Sequence, residues 1–330
     1  MASARLLGHQ ASARAELARK IERISHPAFI ERHLVRALGE AGEVETSLVQ
    51  NDGTGAATLR YSAPGGASVF AKVYVDESGA HSHAVLQTLW EDGFGRASRY
   101  RVSEPLAFLP DHNVLLVRGA GEVTVASAPD ERGLADGARE AARWLARLHA
   151  SPVRVGRTRY PWEVYHKLMH RLAKAAAAHP ARVDDLLELY DRFESLTRTF
   201  ELRFVQTHGQ FRHIHVFLEG PAVTVIDLDR SRPADPAQDL GEFVHRMRTK
   251  RFKATGGVSR AEDATTAFLE AYLAEHPGND ANLPFYWGYH TLVSMWKFMK
   301  SATPEDPAWQ PMLDYYRSEF EDAVSRRWRA

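Results

Sequence analysis

The sequence predicts an α+β protein of two lobes, a small N-terminal antiparallel β lobe and a larger helical C-terminal lobe. Three observations carry this. Short β-type runs with turn signals between them, "ATLRYSA", "SVFAKVYVD" and "NVLLVRG", fall within the first 125 residues. Beyond them apolar residues recur at helical spacing. A chain of 330 residues also exceeds one ordinary compact core and suits two.

Residues 1–42 read as an N-terminal helical extension: Leu17, Ile21 and Ile24, then Phe29, Ile30, Leu34 and Leu38, keep helical spacing, with Pro27 interrupting. The opening "MASARLLGHQASARAELARK" has basic residues but no apolar stretch, so it reads as a cap helix rather than a secretory signal. Residues 43–125 form the β lobe. "PGG" joins the first two runs as a hairpin, "SHAVLQTLWEDGFG" is a helix ended by Gly93, and "NVLLVRG" is a buried strand. Residues 126–330 form the helical lobe. "DERGLADGAREAARWLARLHA" sets Ala138, Ala142, Leu145 and Leu148 on one face, and helical patterns fill 161–200, 261–275 and 284–300. The exception is 205–232, "VQTHGQFRHIHVFLEGPAVTVIDLDRSR", where two apolar runs flank a turn and polar groups crowd their ends.

Composition excludes several classes. Lys+Arg and Asp+Glu are 42 each, so no global field draws the chain to nucleic acid or a membrane surface. With no cysteine, disulfide scaffolds, thiolate metal sites and cysteine nucleophiles are excluded. No apolar run reaches membrane-spanning length. The expectation is a soluble cytoplasmic protein with no nucleic-acid or membrane partner.

Lys72 lies inside the apolar run "VFAKVYV", where an ammonium needs an anion or must reach out to water. Upstream, "NDGTGAAT" offers Gly53 and Gly55 for close backbone approach to a phosphate. Asp227 and Asp229 flank Leu228; strand alternation would turn both carboxylates to one face, spaced to share a divalent ion. The plainer alternative is a solvated strand end paired with Arg230 and Arg232. His213 and His215 make an i, i+2 pair which, with His208 and the two aspartates, offers a metal cluster. With 16 histidines such pairs also arise by chance, as "HSH" at 81–83 illustrates.

Lys72 after a hairpin, then "HGQFRHIHVF", then "VIDLDRSRPADPAQDLGEF" together resemble the aminoglycoside phosphotransferase and choline kinase family of small-molecule kinases, over roughly residues 45–300. That family's signature is His-Gly-Asp, four residues, then Asn, followed after a hairpin by Ile-Asp-x-Asp/Glu. The resemblance implies a protein-kinase-like fold that uses ATP and Mg2+. It implies Lys72, Gly53 and Gly55 at the nucleotide phosphates, Asp227 and Asp229 at the metal, and His208 holding the loop. It also implies three departures. Gln210 stands at the catalytic aspartate; it orients a hydroxyl but is no useful base, and base assistance is typically worth about 10² to 10⁴ in rate. His215 stands at the asparagine, a magnesium ligand. The helix that should pair a glutamate with Lys72 offers Gln87 in its middle, Glu77 before it and Glu91 at its end. Asp239 in "DPAQDL" caps a helix or braces the loop.

Three readings remain open. The first is a phosphotransferase acting on a hydroxyl of a small molecule or peptide through a rearranged loop, with Asp229, His213 or His215 accepting the proton. The second is a pseudokinase that binds nucleotide, peptide or a partner enzyme without phosphoryl transfer. The third is the metal cluster. On the acceptor side, Phe285, Tyr286, Trp287, Tyr289 and Trp296 read mainly as packing between helices, with one or two walling an acceptor pocket or a protein interface. The basic run from Arg246 to Lys253 suits an acidic peptide or phosphorylated acceptor better than a polycationic one.

Overall fold

The computed structural model of the chain describes residues 2–38, 43–64 and 68–325. The tip of the expected "PGG" hairpin and the end of the N-terminal extension lie outside the described residues. The chain forms two compact units, Met1–Glu122 with Phe217–Arg230, and Val123–Val216 with Ser231–Ala330. The segment carrying Asp227 and Asp229, assigned by sequence to the helical lobe, is therefore part of the first unit.

In the first unit three helices precede the sheet: α1 (Ala2–Ser25), α2 (Pro27–His33) and α3 (Val35–Leu38). The break before α2 has a local cause. Pro27 lacks an amide hydrogen and suits a first helical position, and His26 Nδ1 accepts the Ala28 amide at 3.2 Å. Next come β1 (Glu45–Asn51), β2 (Ala56–Ser62), β3 (Ser68–Tyr74), α4 (Ser78–Leu89), β4 (Tyr100–Val102), β5 (Pro105–Leu109) and β6 (Val114–Arg118). Five strands form one sheet in the order β1-β2-β3-β6-β5, and each neighbouring pair is antiparallel.

Alternation along the strands decides what the sheet buries. Ala57, Leu59 and Tyr61 of β2 and Val69, Ala71 and Val73 of β3 form a core with Leu17, Ile24, Phe29, Leu34 and Leu38. The N-terminal helices thus cover one face of the sheet rather than extending from it. Tyr61 is fully buried and its hydroxyl donates to Ile24 O at 2.8 Å, tying α1 to the sheet. Tyr61→Phe leaves that carbonyl without its partner and should lower stability by about 1 kcal/mol. Urea unfolding of the full chain reads this, and an unchanged midpoint would remove the bond from the account. Phe70, Lys72 and Tyr74 occupy the opposite phase of β3, so Lys72 and Tyr74 share a face.

The hairpin of β8 (Val216–Glu219) and β9 (Ala222–Val225) turns at Gly220, whose φ of +59° favours glycine. β9 pairs with β4 in parallel register, Tyr100 opposite Val223, and so carries the segment that follows it into the first unit.

The second unit holds α5 (Glu131–Ala150), α6 (Pro161–Ala178), α7 (Val183–Ser195), β7 (Val205–Thr207), β10 (Arg232–Ala234), α8 (Ala237–Thr255), α9 (Ser259–Glu275), α10 (Leu283–Ser301) and α11 (Trp309–Ser325). β7 and β10 pair antiparallel. Trp144 of α5 stacks on Phe211 at 5.8 Å, and Phe243 of α8 stacks on Phe268 of α9 at 3.9 Å. Phe285, Tyr286 and Trp287 of α10 are buried, in keeping with the packing role expected of them. The helical spacing does not mark the bounds of α8, because nearly all of its first half is buried, polar residues included, and no apolar stripe runs along it.

Candidate active site

Lys72 Nζ stands 2.6 Å from Asp227 Oδ1 and 2.5 Å from Asp229 Oδ2. The expected convergence of the two carboxylates is present, but strand alternation is not its cause. β9 ends at Val225, and Asp227 takes a left-handed conformation with φ +68°, one that Asp tolerates better than most side chains. That turn, rather than a pleat, sets both carboxylates against one ammonium. Burial would lower the Lys72 pKa, but Asp229 and Asp227 outweigh it and raise it.

Asp229 has two further partners that sequence reasoning missed. Tyr74 OH donates to its Oδ1 at 3.0 Å, and Ser82 Oγ stands 3.0 Å from the same oxygen. Tyr74 was signalled by its position two residues after Lys72 on one strand face. Ser82 had no signal: it is what α4 supplies on the side where a glutamate was sought. Glu77 precedes α4, and Gln87 donates to Glu91 at 2.5 Å. Two carboxylates against one ammonium leave a net charge of about −1, and their hard oxygens fit a divalent cation such as magnesium.

Gly53 and Gly55 lie in the β1–β2 turn. The Gly53 amide donates to Asn51 Oδ1 at 2.8 Å, and the Thr54, Gly55 and Ala56 amides all donate to Asp52 Oδ1 at 2.7 to 3.0 Å. Burial would raise the Asp52 pKa, but these amides hold it below its ordinary value. Gly53 has φ +84°, and a Cβ on Gly55 would come 3.0 Å from Asp52 Oδ2. Here the glycines let the turn wrap around Asp52.

In the second unit the loop after β7 is held by Asp239, which is wholly buried. Its Oδ2 accepts the His208 amide at 2.7 Å and its Oδ1 the Gly209 amide at 2.8 Å. His149 Nε2 lies 3.2 Å from Oδ2, and its Nδ1 lies 2.6 Å from Tyr272 OH. Asp239 therefore braces the loop; the Ala237 amide at the start of α8 donates to Asp235 Oδ1 at 2.9 Å. Gly209 has φ +79°, which explains glycine between His208 and Gln210. His208 is buried, and its Nδ1 accepts the Gln210 amide at 3.3 Å. The His215 ring stacks on that of His208 at 5.8 Å, and its Nδ1 donates to Gln210 O at 3.2 Å. The two histidines thus fix the Gln210 backbone from both sides.

Two expectations are corrected here. His213–His215 is a 3-10 turn, not a strand, so the i, i+2 same-face pairing fails. Among the described residues no three His, Asp or Glu side chains form a group able to hold a metal ion, so the metal-cluster reading has no support, and His215 holds the loop backbone instead. His213 is also unsuited to accept a proton. Its ring is buried, its Nδ1 has no hydrogen-bond partner among the described residues, and burial, then Lys250, His215, Arg212 and Arg246, lower its pKa to about 3.

Residues 36–278 match the APH family, described as a phosphotransferase enzyme family, and the chain belongs to it. No protein of curated function matches it by sequence. Among solved structures it is similar to a choline/ethanolamine kinase family protein from Mesorhizobium loti, at 15% identity and TM-score 0.55, covering 96% of this chain and 93% of that one. It is similar to a choline kinase from Streptococcus pneumoniae, at 13% identity and TM-score 0.60, covering 93% and 99%. It is also similar to an amicoumacin kinase in complex with AMP-PNP, Ca2+ and Ami, at 13% identity and TM-score 0.61, covering 92% and 96%. At such identities the likeness is one of fold: a kinase-like α+β chain with an N-terminal antiparallel sheet and a largely helical C-terminal region. No helix among the described residues is long and apolar enough to cross a membrane.

Proposed function

We propose that this chain is an ATP- and Mg2+-dependent phosphotransferase of the aminoglycoside phosphotransferase and choline kinase type, acting in the cytoplasm on a hydroxyl of a small molecule or peptide. The observation that carries this reading is the Lys72 ammonium held between Asp227 and Asp229. Residues 43–125 with the Asp227 segment serve the nucleotide, residues 126–330 the loop and acceptor, and residues 1–42 support the sheet. Bound magnesium supplies charge neutralisation on the phosphates.

Asp227 and Asp229 would hold the metal, with Tyr74 and Ser82 fixing the orientation of Asp229. Lys72 would hold phosphate oxygens of the bound nucleotide. Gln210 would orient the acceptor hydroxyl by accepting its hydrogen bond, leaving the proton to His215 of the same loop. Phosphoryl transfer tolerates this, because positioning and charge stabilisation supply most of its rate.

The second reading is a pseudokinase that binds nucleotide, peptide or a partner enzyme. It is favoured by Gln210 and His215 in the loop and by Ser82 rather than an acid on α4. Calorimetric titration with ATP, with and without magnesium, tests the ground common to both. Magnesium-dependent binding weakened at least about tenfold, or ~1.4 kcal/mol, in Asp227→Ala is the expected result. Binding indifferent to both the metal and Asp227 would overturn the assignment of this site.

A further inference from the structure

The second unit carries a group of cations around one buried carboxylate. Glu242 of α8 accepts at Oε1 from Arg212 Nε and Arg246 Nε, each at 3.1 Å, and its Oε2 lies 3.8 Å from His290 Nδ1. Arg171 of α6 donates to Tyr289 OH at 3.5 Å and lies 5.1 Å over the Trp296 ring of α10. Lys297, the next residue on α10, is exposed. Arg159 donates to Gln238 Oε1 at 3.3 Å. These cations come from α6 and the loop before it, α8, α10 and a loop position two residues past Gln210.

Their mutual influence shows in their ionisation. Although Lys297 reaches water, partial desolvation of its ammonium first, then Arg246, Arg171 and Arg212, lower its pKa, with Glu242 opposing. Burial, then Arg159, lower that of Lys167, with Arg232 and Arg171 adding to it and Glu163 opposing. Burial would raise the Glu242 pKa, but His290, Arg246 and Arg212 bring it down to about 2. Glu242 and Glu163 are carboxylates facing this group, and Glu163 is itself bound to Arg157 at 2.6 Å. His290 Nε2 and Gln238 Nε2 are buried with no hydrogen-bond partner among the described residues. A solvated basic face would splay its side chains into water. Here Tyr289 and Trp296 fix Arg171, and Glu242 fixes Arg212 and Arg246, so the guanidinium groups are ordered in advance for a ligand.

We propose, resting on the phosphotransferase reading, that this cluster is the anion subsite of the acceptor, so that the hydroxyl compound being phosphorylated already carries a phosphate monoester. A dianionic phosphate matches guanidinium forks in charge and geometry, a carboxylate brings half the charge, and a cationic acceptor is repelled.

The test is calorimetric titration of the full chain with inorganic phosphate, with acetate as the carboxylate probe and ATP in a separate arm. Arg171→Gln/Lys297→Gln and Lys72→Ala are compared with the parent, and Lys297→Glu serves where the double variant melts early. Expected is saturable phosphate binding, tighter than acetate, weakened at least about tenfold in the double variant or Lys297→Glu and retained in Lys72→Ala, with ATP affinity unchanged by the Arg171 and Lys297 substitutions. No saturable phosphate binding, binding indifferent to Arg171 and Lys297, loss in Lys72→Ala, or acetate as tight as phosphate would each overturn the proposal. Absent ATP binding with phosphate binding still dependent on Arg171 and Lys297 overturns the kinase reading alone.

Discussion

Gln210→Asp should raise the rate of phosphoryl transfer by about 10² to 10⁴, the usual worth of a positioned general base. The backbone at 210 is held by His208 Nδ1 on its amide and His215 Nδ1 on its carbonyl, and neither contact uses the glutamine side chain. A carboxylate introduced there keeps its place in the loop. Single-turnover transfer from ATP to water, and to hydroxyl compounds with and without a phosphate group, reads the gain. Gln210→Asn is the control, since it shortens the side chain as aspartate does and adds no base. A gain in Gln210→Asp alone supports an enzyme working without its base. Equal and negligible rates in both variants, with ATP still bound, would sink the phosphotransferase reading and leave the pseudokinase one.

Much of this site was legible because its residues sit in patterns that local physics enforces. Lys72 in an apolar run had to find an anion, and it finds two. Asp239 was expected to cap or brace, and the buried amides of His208 and Gly209 decide for bracing. What was not legible depends on backbone turns and on partners distant in sequence. A period-2 pattern cannot foresee the left-handed turn at Asp227, which does the work assigned to strand alternation. Nor does it reveal that His213 and His215 lie in a 3-10 turn. Ser82 reaches Asp229 across 147 residues of sequence, and Arg171 meets Tyr289 across 118. The bounds of α8 were hidden because it buries polar and apolar residues alike, and a helix without an apolar stripe gives no amphipathic signal.

The protein should lose stability steeply in mild acid. Burial is the first cause that lowers the pKa of His213 to about 3 and of His290 to about 4, and it takes His245 well below its ordinary value. Arg246 adds to this at all three sites, and Glu242 opposes it at His290. Each of these rings is neutral when folded and binds a proton when unfolded once the pH falls below about 6.5. Their stabilisation is therefore present above that pH and lost as pH falls toward the folded values. Asp235 has the opposite sign. Burial raises its pKa to about 7 against the hydrogen bonds from Asn282 and the Ala237 amide, so its contribution is full below about 3.8 and lost as pH rises through 7. Between about pH 4.5 and 6.5 these four groups take up three protons and release one on unfolding, a contribution of roughly 3 kcal/mol per pH unit; His149, lowered by burial, adds to it and Glu319, raised by burial, opposes it. Two units of that slope are comparable with the whole stability of an ordinary domain, about 5 to 15 kcal/mol. Below pH 4.5 Glu242, held at about 2, adds to the loss in the same direction. Thermal melts from pH 7.5 to 4.5 should show Tm falling continuously. Asp235→Asn should steepen the fall by removing an opposing proton, and His290→Gln should flatten it. A Tm independent of pH from 5 to 7, unchanged in slope by either substitution, would mean that these histidines are charged in the folded protein, and the cation cluster around Glu242 would then carry one more positive charge.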